Sequence, residues 1–216
     1  MSTCAFPATV FEFYRLAEKL KLVMRHSWLS DGQRRESVAE HTWMMSLLAL
    51  ILMPKVKLDL DQTKVLKMIA VHDLAEAVTE DMPVWDGVVH KEQKAEAERK
   101  AMELLLKPLP DDLSTDLLQL WEEYEQRTST EALFVKALDT LDVIAQHNTT
   151  DLHTWDDNDY LWQLSPLQDS FFDLDEILRQ LKDQLDQWSI SKVNEAGRLD
   201  KLDQVELQKR QARNSQ

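Results

Sequence analysis

Apolar residues recur along most of this chain at the three-to-four-residue spacing of amphipathic helices, and no stretch of convincing length alternates as a half-buried strand would. The pattern predicts an all-α protein. A first helix over about Thr9–Met24 carries Phe11, Leu16, Leu20 and Val23 among its apolar positions, and the polar loop HSWLSDGQRRE follows it. Ser37 and Glu40 have the Ser-x-x-Glu spacing of a capping box, opening a helix over 38–53 that is apolar almost all round and so belongs at the centre of a bundle. Pro54 ends it, and Asp61 stands where a third helix needs its N-cap. Further helices are expected over 91–107 and 112–126, separated by the breaker run PLPDD, and over 131–148. The segment DLHTWDDNDYLWQLSP has no regular period, and an amphipathic helix over about Leu174–Trp188 comes after it. The expected organisation is one helical domain over 1–190 and a polar, loosely ordered tail over 191–216 with no apolar stripe wide enough to pack.

The third helix breaks its own pattern at AVHDLAEAVTEDMP, residues 70–83. At about 100° per residue, the arc holding Val65, Leu66, Met68 and Ile69 next receives His72, Asp73 and Glu76. Burying two carboxylates and an imidazole costs on the order of several kcal/mol unless something pairs with them, so this helix either ends at water or faces a cation. His41 falls within another inward arc, that of Met44, Met45, Leu48 and Leu52. One inward histidine is ordinarily a core residue bonded to a carbonyl. Here two core helices each supply one, the second beside an aspartate, and a later helix offers Asp139 and Asp142. Two neutral imidazoles and two carboxylates suit a divalent cation of borderline hardness and leave positions for water and substrate oxygens.

Composition narrows the field. A chain of 216 residues with 44% hydrophobic content can bury one sizeable core. Its net charge of −14 repels duplex nucleic acid and anionic membrane over most of the surface, so a phosphate-bearing ligand needs a local cation or a metal. Three glycines, Gly32, Gly87 and Gly197, cannot build a P-loop or a dinucleotide fingerprint. The single Cys4 excludes an intrachain disulfide and a cysteine zinc site, as in a reducing compartment. The longest apolar run, LLALILM, is too short to span a bilayer, and a soluble cytoplasmic protein is expected.

The order His41, His72-Asp73, Asp139 resembles the His...His-Asp...Asp signature of the HD-domain metal-dependent phosphohydrolases. Arg25 and Trp28 before ESVAEHTW, HDLAE before EDMP, then LWEEYE and FVKALD, resemble the branch comprising the bacterial HD-domain 5′-deoxynucleotidases and the eukaryotic HD domain-containing protein 2 group, over about residues 11–148. The resemblance implies an HD-domain helical bundle that removes the 5′-phosphate from (deoxy)nucleoside 5′-monophosphates and is commonly a homodimer. It assigns His41, His72, Asp73 and Asp139 as ligands of one divalent metal, for which Mn, Fe, Co, Ni and Zn all suit mixed imidazole and carboxylate donors. Helix geometry leaves Asp142 nearer the apolar arc than Asp139; the Lys-x-x-Asp context of VKALD selects Asp139. Asp142 then stands behind a ligand, at a second metal, or in solvent.

Glu76 corresponds to the general acid or base that hands a proton to the leaving 5′-oxygen. Arg25 resembles a phosphate-binding arginine, Trp28 a residue that shapes the sugar or base pocket, and Asp81 a sugar-binding aspartate. Glu80 replaces the glycine usual before that aspartate, and two residues separate Arg25 from Trp28, a spacing nearer the eukaryotic group. The alternatives are an HD phosphodiesterase or nucleoside triphosphate hydrolase, for which no extra basic cluster lies near the motifs, and a non-catalytic metal-stabilised binding module, which has no need of Glu76. His147 and His153, in a Trp- and Asp-rich region, read as structural or solvated, and His90 as exposed.

Overall fold

The computed structural model describes residues 6–79 and 91–213; Cys4, Glu80, Asp81, Gly87 and His90 lie outside them. Helix α1 spans Phe6–Ala17 and runs into a 3₁₀ turn at Glu18–Lys21. Strands β1 (Met24–Trp28) and β2 (Arg35–Ser37) then pair antiparallel, where a helix end and an irregular loop are expected from sequence. The strands are too short for a period of two to register, and the pairing is tied at one end by its flanking residues and at the other by the Gln146 side chain. Val38 N–H donates to Val23 O at 3.0 Å, and Gln146 Nε2 donates to Trp28 O at 2.6 Å.

Helix α2 (Val38–Leu52) begins at the expected capping box: Ser37 Oγ accepts from Glu40 N at 3.3 Å and Glu40 Oε2 from Ser37 N at 2.9 Å. It buries Val38, His41, Met45, Ala49 and Leu52 on one face. The other face leaves Trp43 60%, Leu50 55% and Ile51 64% exposed, so this helix lies at an edge of the bundle. Its all-round apolarity cannot distinguish two protein-covered faces from one.

Asp61 caps α3 (Gln62–Val71), its side chain accepting from Lys64 N at 3.0 Å. A single continuous helix through residue 76 is expected, but α3 stops at Val71. The chain tightens through 72–75, with Leu74 N–H reaching Val71 O, Glu76 N–H reaching Asp73 O and Ala77 N–H reaching Leu74 O, into the short α4 (Glu76–Thr79). At three residues per turn, side chains three apart eclipse, which sets Asp73 and Glu76 on one side.

Helices α5 (Lys91–Leu106), α6 (Asp111–Gln126), α7 (Thr130–Thr149), α8 (Asp157–Trp162), α9 (Asp169–Phe172), α10 (Glu176–Glu195) and α11 (Gln204–Arg213) complete the order. Helix α7 is the axis of the bundle, packed against α2, α3, α6, α9, α10 and β1 and burying Phe134, Val135, Leu138, Leu141 and Ile144. Met45, Met68, Ile69, Met102, Leu105, Phe172 and Leu178 join these residues in the main core. A smaller core of Trp155, Tyr160, Leu164, Val193, Leu202 and Leu207 gathers the irregular segment and residues beyond 190. In α11, Arg210 is 2% exposed and forks onto Asp169, with Nη1–Oδ2 at 2.8 Å and Nη2–Oδ1 at 2.9 Å. Docking by a buried ion pair leaves little apolar signature in the sequence of 191–216.

Candidate active site

The cluster forms where α2, the end of α3 and α7 converge. His41 is fully buried, and its two ring nitrogens face different carboxylates. Nδ1 donates to Asp142 Oδ2 at 2.6 Å, while Nε2 lies 3.2 Å from Asp139 Oδ1 and 3.8 Å from Asp73 Oδ2. His72 is the C-cap of α3 and donates Nδ1–H to Ile69 O at 2.8 Å, because a carbonyl can only accept. Its Nε2 is thereby left as the lone-pair nitrogen, 3.1 Å from Asp73 Oδ2. The two rings are 5.5 Å apart between centroids.

The carboxylates are fixed by a second set of contacts. Oδ2 of Asp139 accepts from Lys136 Nζ at 2.6 Å and from Tyr124 OH at 3.1 Å, which leaves Oδ1 toward His41. Tyr124 also meets the His72 ring edge-on at 5.3 Å. Arg25 Nη1 donates to Asp73 Oδ2 at 3.2 Å, and its Nε lies 3.7 Å from Glu36 Oε2. Glu36 is 4% exposed and belongs to a close group with His41 and Asp142. Glu36, Tyr124 and Lys136 are the residues that sequence reasoning misses as site components. Glu36, the first residue of ESVAEHTW, reads as polarity ahead of the Ser37 cap, and Tyr124 as an apolar-face position within a charge run. Only the lysine of VKALD carried a usable signal, as context for Asp139.

These contacts bias protonation. Burial and Arg25 disfavour a charge on His41, yet the adjoining carboxylates of Asp139 and Asp142 outweigh them and raise the imidazole to about 9. Burial would raise Asp73, but its contact with the His72 ring and the Arg25 charge hold it below the usual carboxylate range. Asp139 is likewise kept low against its burial, by Lys136 and then His41. Burial, then the Asp142 charge, pushes Glu36 up to about 7. Burial and the Asp139 charge push the Tyr124 phenol well above its ordinary value, so it stays a neutral donor.

The donor set fits a divalent cation. His41 Nε2 and His72 Nε2 are both buried without a hydrogen bond, and each faces a carboxylate. Single ligand atoms of His41, His72 and Asp73 all lie within 4.8 Å of one another. Two unpartnered imidazole nitrogens aimed at the same acidic corner are costly in a core and are what a cation needs. Of the residues singled out by sequence, His41, His72, Asp73, Asp139, Asp142 and Arg25 meet here, and Glu76 stands one tight turn past Asp73. Trp28 ends β1, with the Arg35 guanidinium 5.0 Å over its ring. Asp81 lies outside the described residues.

Comparison with known proteins sets this geometry in a family context. A family model described as HD domain matches residues 17–170. The chain is 38% identical over 140 residues to the human protein named 5′-deoxynucleotidase HDDC2, covering 64% of this chain and 66% of that one. It is 32% identical over 143 residues to the 5′-deoxynucleotidase hdd1 of Schizosaccharomyces pombe, covering 64% and 70%. The match thus spans just under two thirds of the human relative's own length. Among solved structures, a predicted metal-dependent phosphohydrolase from Magnetospirillum magnetotacticum MS-1 superposes with a TM-score of 0.72 at 28% identity, covering 92% of this chain and 96% of that one. The PH0347 protein from Pyrococcus horikoshii OT3 superposes with a TM-score of 0.58 at 28% identity, covering 81% and 99%.

Proposed function

The chain belongs to the HD domain family, and from that footing we propose that it is a metal-dependent phosphohydrolase that removes the 5′-phosphate from (deoxy)nucleoside 5′-monophosphates. The observation that carries this reading is the pair of buried, unpartnered Nε2 atoms of His41 and His72, framed by Asp73 and Asp139 and flanked by Arg25. His41, His72, Asp73 and Asp139 would hold the cation, of the Mn, Fe, Co, Ni or Zn class. When bound, a divalent cation there supplies positive charge for a phosphate oxygen and acidity for an attacking water.

The protein's own residues do the positioning. Asp142 holds the His41 ring, Ile69 O holds the His72 ring, and Lys136 with Tyr124 hold Asp139. His41, His72 and Asp139 each therefore have one atom tied and another turned toward the acidic corner, and Asp73 is held by Arg25, which costs little reorganisation on binding. Arg25, 12% exposed at its side chain and already drawn to Asp73, presents a guanidinium for two phosphate oxygens. Glu76 is the acid for the leaving 5′-oxygen. Trp28 is assigned to the sugar or base pocket and Asp81 to the sugar. A nucleotide held by Arg25 and a cation meets the difficulty of an acidic protein attracting an anion.

Trp43, Leu47, Leu50 and Ile51 form an exposed apolar stripe on α2, and this supports a homodimer as the working assembly. Among the described residues no helix is long and apolar enough to cross a membrane. We place the enzyme in the cytoplasm, in keeping with its single cysteine. The deciding experiment is phosphate release from a panel of nucleoside mono-, di- and triphosphates and bis(p-nitrophenyl) phosphate, on metal-stripped protein reconstituted with each metal. Monophosphates, deoxyribonucleotides foremost, should be hydrolysed. Turnover confined to the triphosphates or the diester overturns the assignment.

A further inference from the structure

A second histidine–carboxylate cluster stands on the other side of the hairpin strand that carries Arg25. His26 of β1 and His147 of α7, with ring centroids 6.3 Å apart, face the start of α8, where Asp156 and Asp159 form a reciprocal capping box. Each carboxylate commits one oxygen to that box. Asp156 Oδ1 accepts from Asn158 N at 2.8 Å and Asp159 N at 3.1 Å, and Asp159 Oδ2 accepts from Asp156 N at 2.8 Å. The other oxygens turn toward the histidines, and Asp159 Oδ2 is also hydrogen-bonded to His26 Nε2 at 3.3 Å. Asp159 Oδ1 lies 3.2 Å from His26 Nε2 and 3.5 Å from His147 Nε2, and Asp156 Oδ2 lies 3.5 Å from His26 Nε2.

His147 is 3% exposed, and neither of its ring nitrogens makes a hydrogen bond. Asp159 Oδ1, buried beside it, is in the same condition. A fully satisfied core histidine would donate one nitrogen to a carbonyl; this one points Nε2 at a carboxylate oxygen and bonds to nothing. Tetrahedral coordination with nitrogen and oxygen donors about 2.0 to 2.1 Å from the metal separates neighbouring donors by about 3.3 to 3.4 Å. The three donor separations here bracket that value. Single ligand atoms of His26, Asp156 and Asp159 also lie within 4.8 Å of one another.

We propose that His26, Asp156 and Asp159, with His147 closing on Asp159 from the buried side, form a second cation site of zinc-like preference that staples the β1 strand to α7 and α8. It shares no residue with the catalytic cluster. Its role is to hold the strand on which Arg25 sits, and it does not depend on the reaction assigned above.

The test is the metal stoichiometry of the full chain. Metal-stripped protein is loaded with Zn²⁺ or Co²⁺, desalted and assayed for bound metal, with the Co²⁺ absorption spectrum as a second readout. Wild type should hold two equivalents. His72→Ala should lose one and keep the other, His26→Gln should lose the other, and the double variant should hold none. Zn²⁺ should raise the melting temperature of His72→Ala but not that of the double variant. If His26→Gln fails to fold, Asp156→Asn, which keeps the capping oxygen, takes its place with the same expectation. One equivalent in wild type, or a second equivalent that survives the substitution at His26 or Asp156, overturns the proposal and leaves the cluster as hydrogen-bonded histidine–aspartate pairs.

Discussion

Asp142 Oδ2 lies 2.6 Å from Nδ1 of His41, while Asp139 Oδ1 lies 3.2 Å from Nε2 of the same ring. One imidazole thus divides two aspartates one helical turn apart into different jobs. Asp139 faces the acidic corner where the unpartnered nitrogens gather, and Asp142 fixes the ring from behind.

The division predicts unequal losses. Asp139→Ala and His72→Ala should remove the catalytic metal and the activity together, along with the extra thermal stability that added metal confers. Asp142→Asn should retain metal with affinity weakened by about 10- to 100-fold, the usual effect of removing a carboxylate behind a histidine ligand. Metal titration checks both. Loss of metal in the Asp142 variant with full occupancy in Asp139→Ala would reverse the two assignments.

His41 stands at about 9 without metal, so it is protonated at neutral pH and must release that proton to become a ligand. Metal affinity should rise with pH from 6 to 9, and calorimetry in buffers of different ionisation enthalpy should detect proton release on binding at pH 7. Binding with no proton released would show that His41 is already neutral.

Glu76 separates a catalyst from a metal-binding scaffold. Glu76→Gln should keep metal and fold while lowering kcat on a nucleoside monophosphate by roughly 10²- to 10⁴-fold. The loss should be smaller for p-nitrophenyl phosphate, whose leaving group departs as an anion. An equal loss on both substrates, with metal retained, moves Glu76 from proton donor to orienting the attacking water.

Arg25→Ala should raise KM for a monophosphate far more than it changes metal content. Its guanidinium contacts Asp73 in the free protein and is assigned to the substrate phosphate. Steady-state kinetics beside metal analysis makes the comparison, and an unchanged KM removes Arg25 from the phosphate site.

Glu36 sets a pH dependence of stability in the metal-free protein. Its folded-state value of about 7 lies above the ordinary 4.5, so the folded chain holds this proton more tightly. The neutral carboxyl's contribution is complete below pH 4.5 and is lost as pH rises through 7. Relative to wild type, Glu36→Gln should therefore gain stability across that window, by up to about 3 kcal/mol. Urea denaturation of stripped protein at several pH values reads the difference. A difference independent of pH would mean that Glu36 titrates like an exposed glutamate.

What the sequence determined by itself are the features that depend on near neighbours. The helical period marks α2, α6, α7 and α10, the Ser37–Glu40 box and the Asp61 cap start helices where they are read, and His41, His72 and Asp73 stand out as ionisable groups on apolar arcs. Each rests on interactions within three or four positions, which a linear pattern records. The tertiary structure alone decided the rest. The break of α3 at His72, the hairpin, the exposed stripe of α2 and the docking of Arg210 on Asp169 depend on which surfaces meet, and no local periodicity encodes that. The contact of Asp142 with His41 is of the same kind, because the two stand 101 positions apart along the chain. Glu36 and Tyr124 acquire their roles, and His26 and His147 their shared aspartate, only when α7 is laid against the hairpin, α2, α6 and α8. Hydrogen bonds and Coulomb fields act over ångströms in space, whatever the distance along the chain.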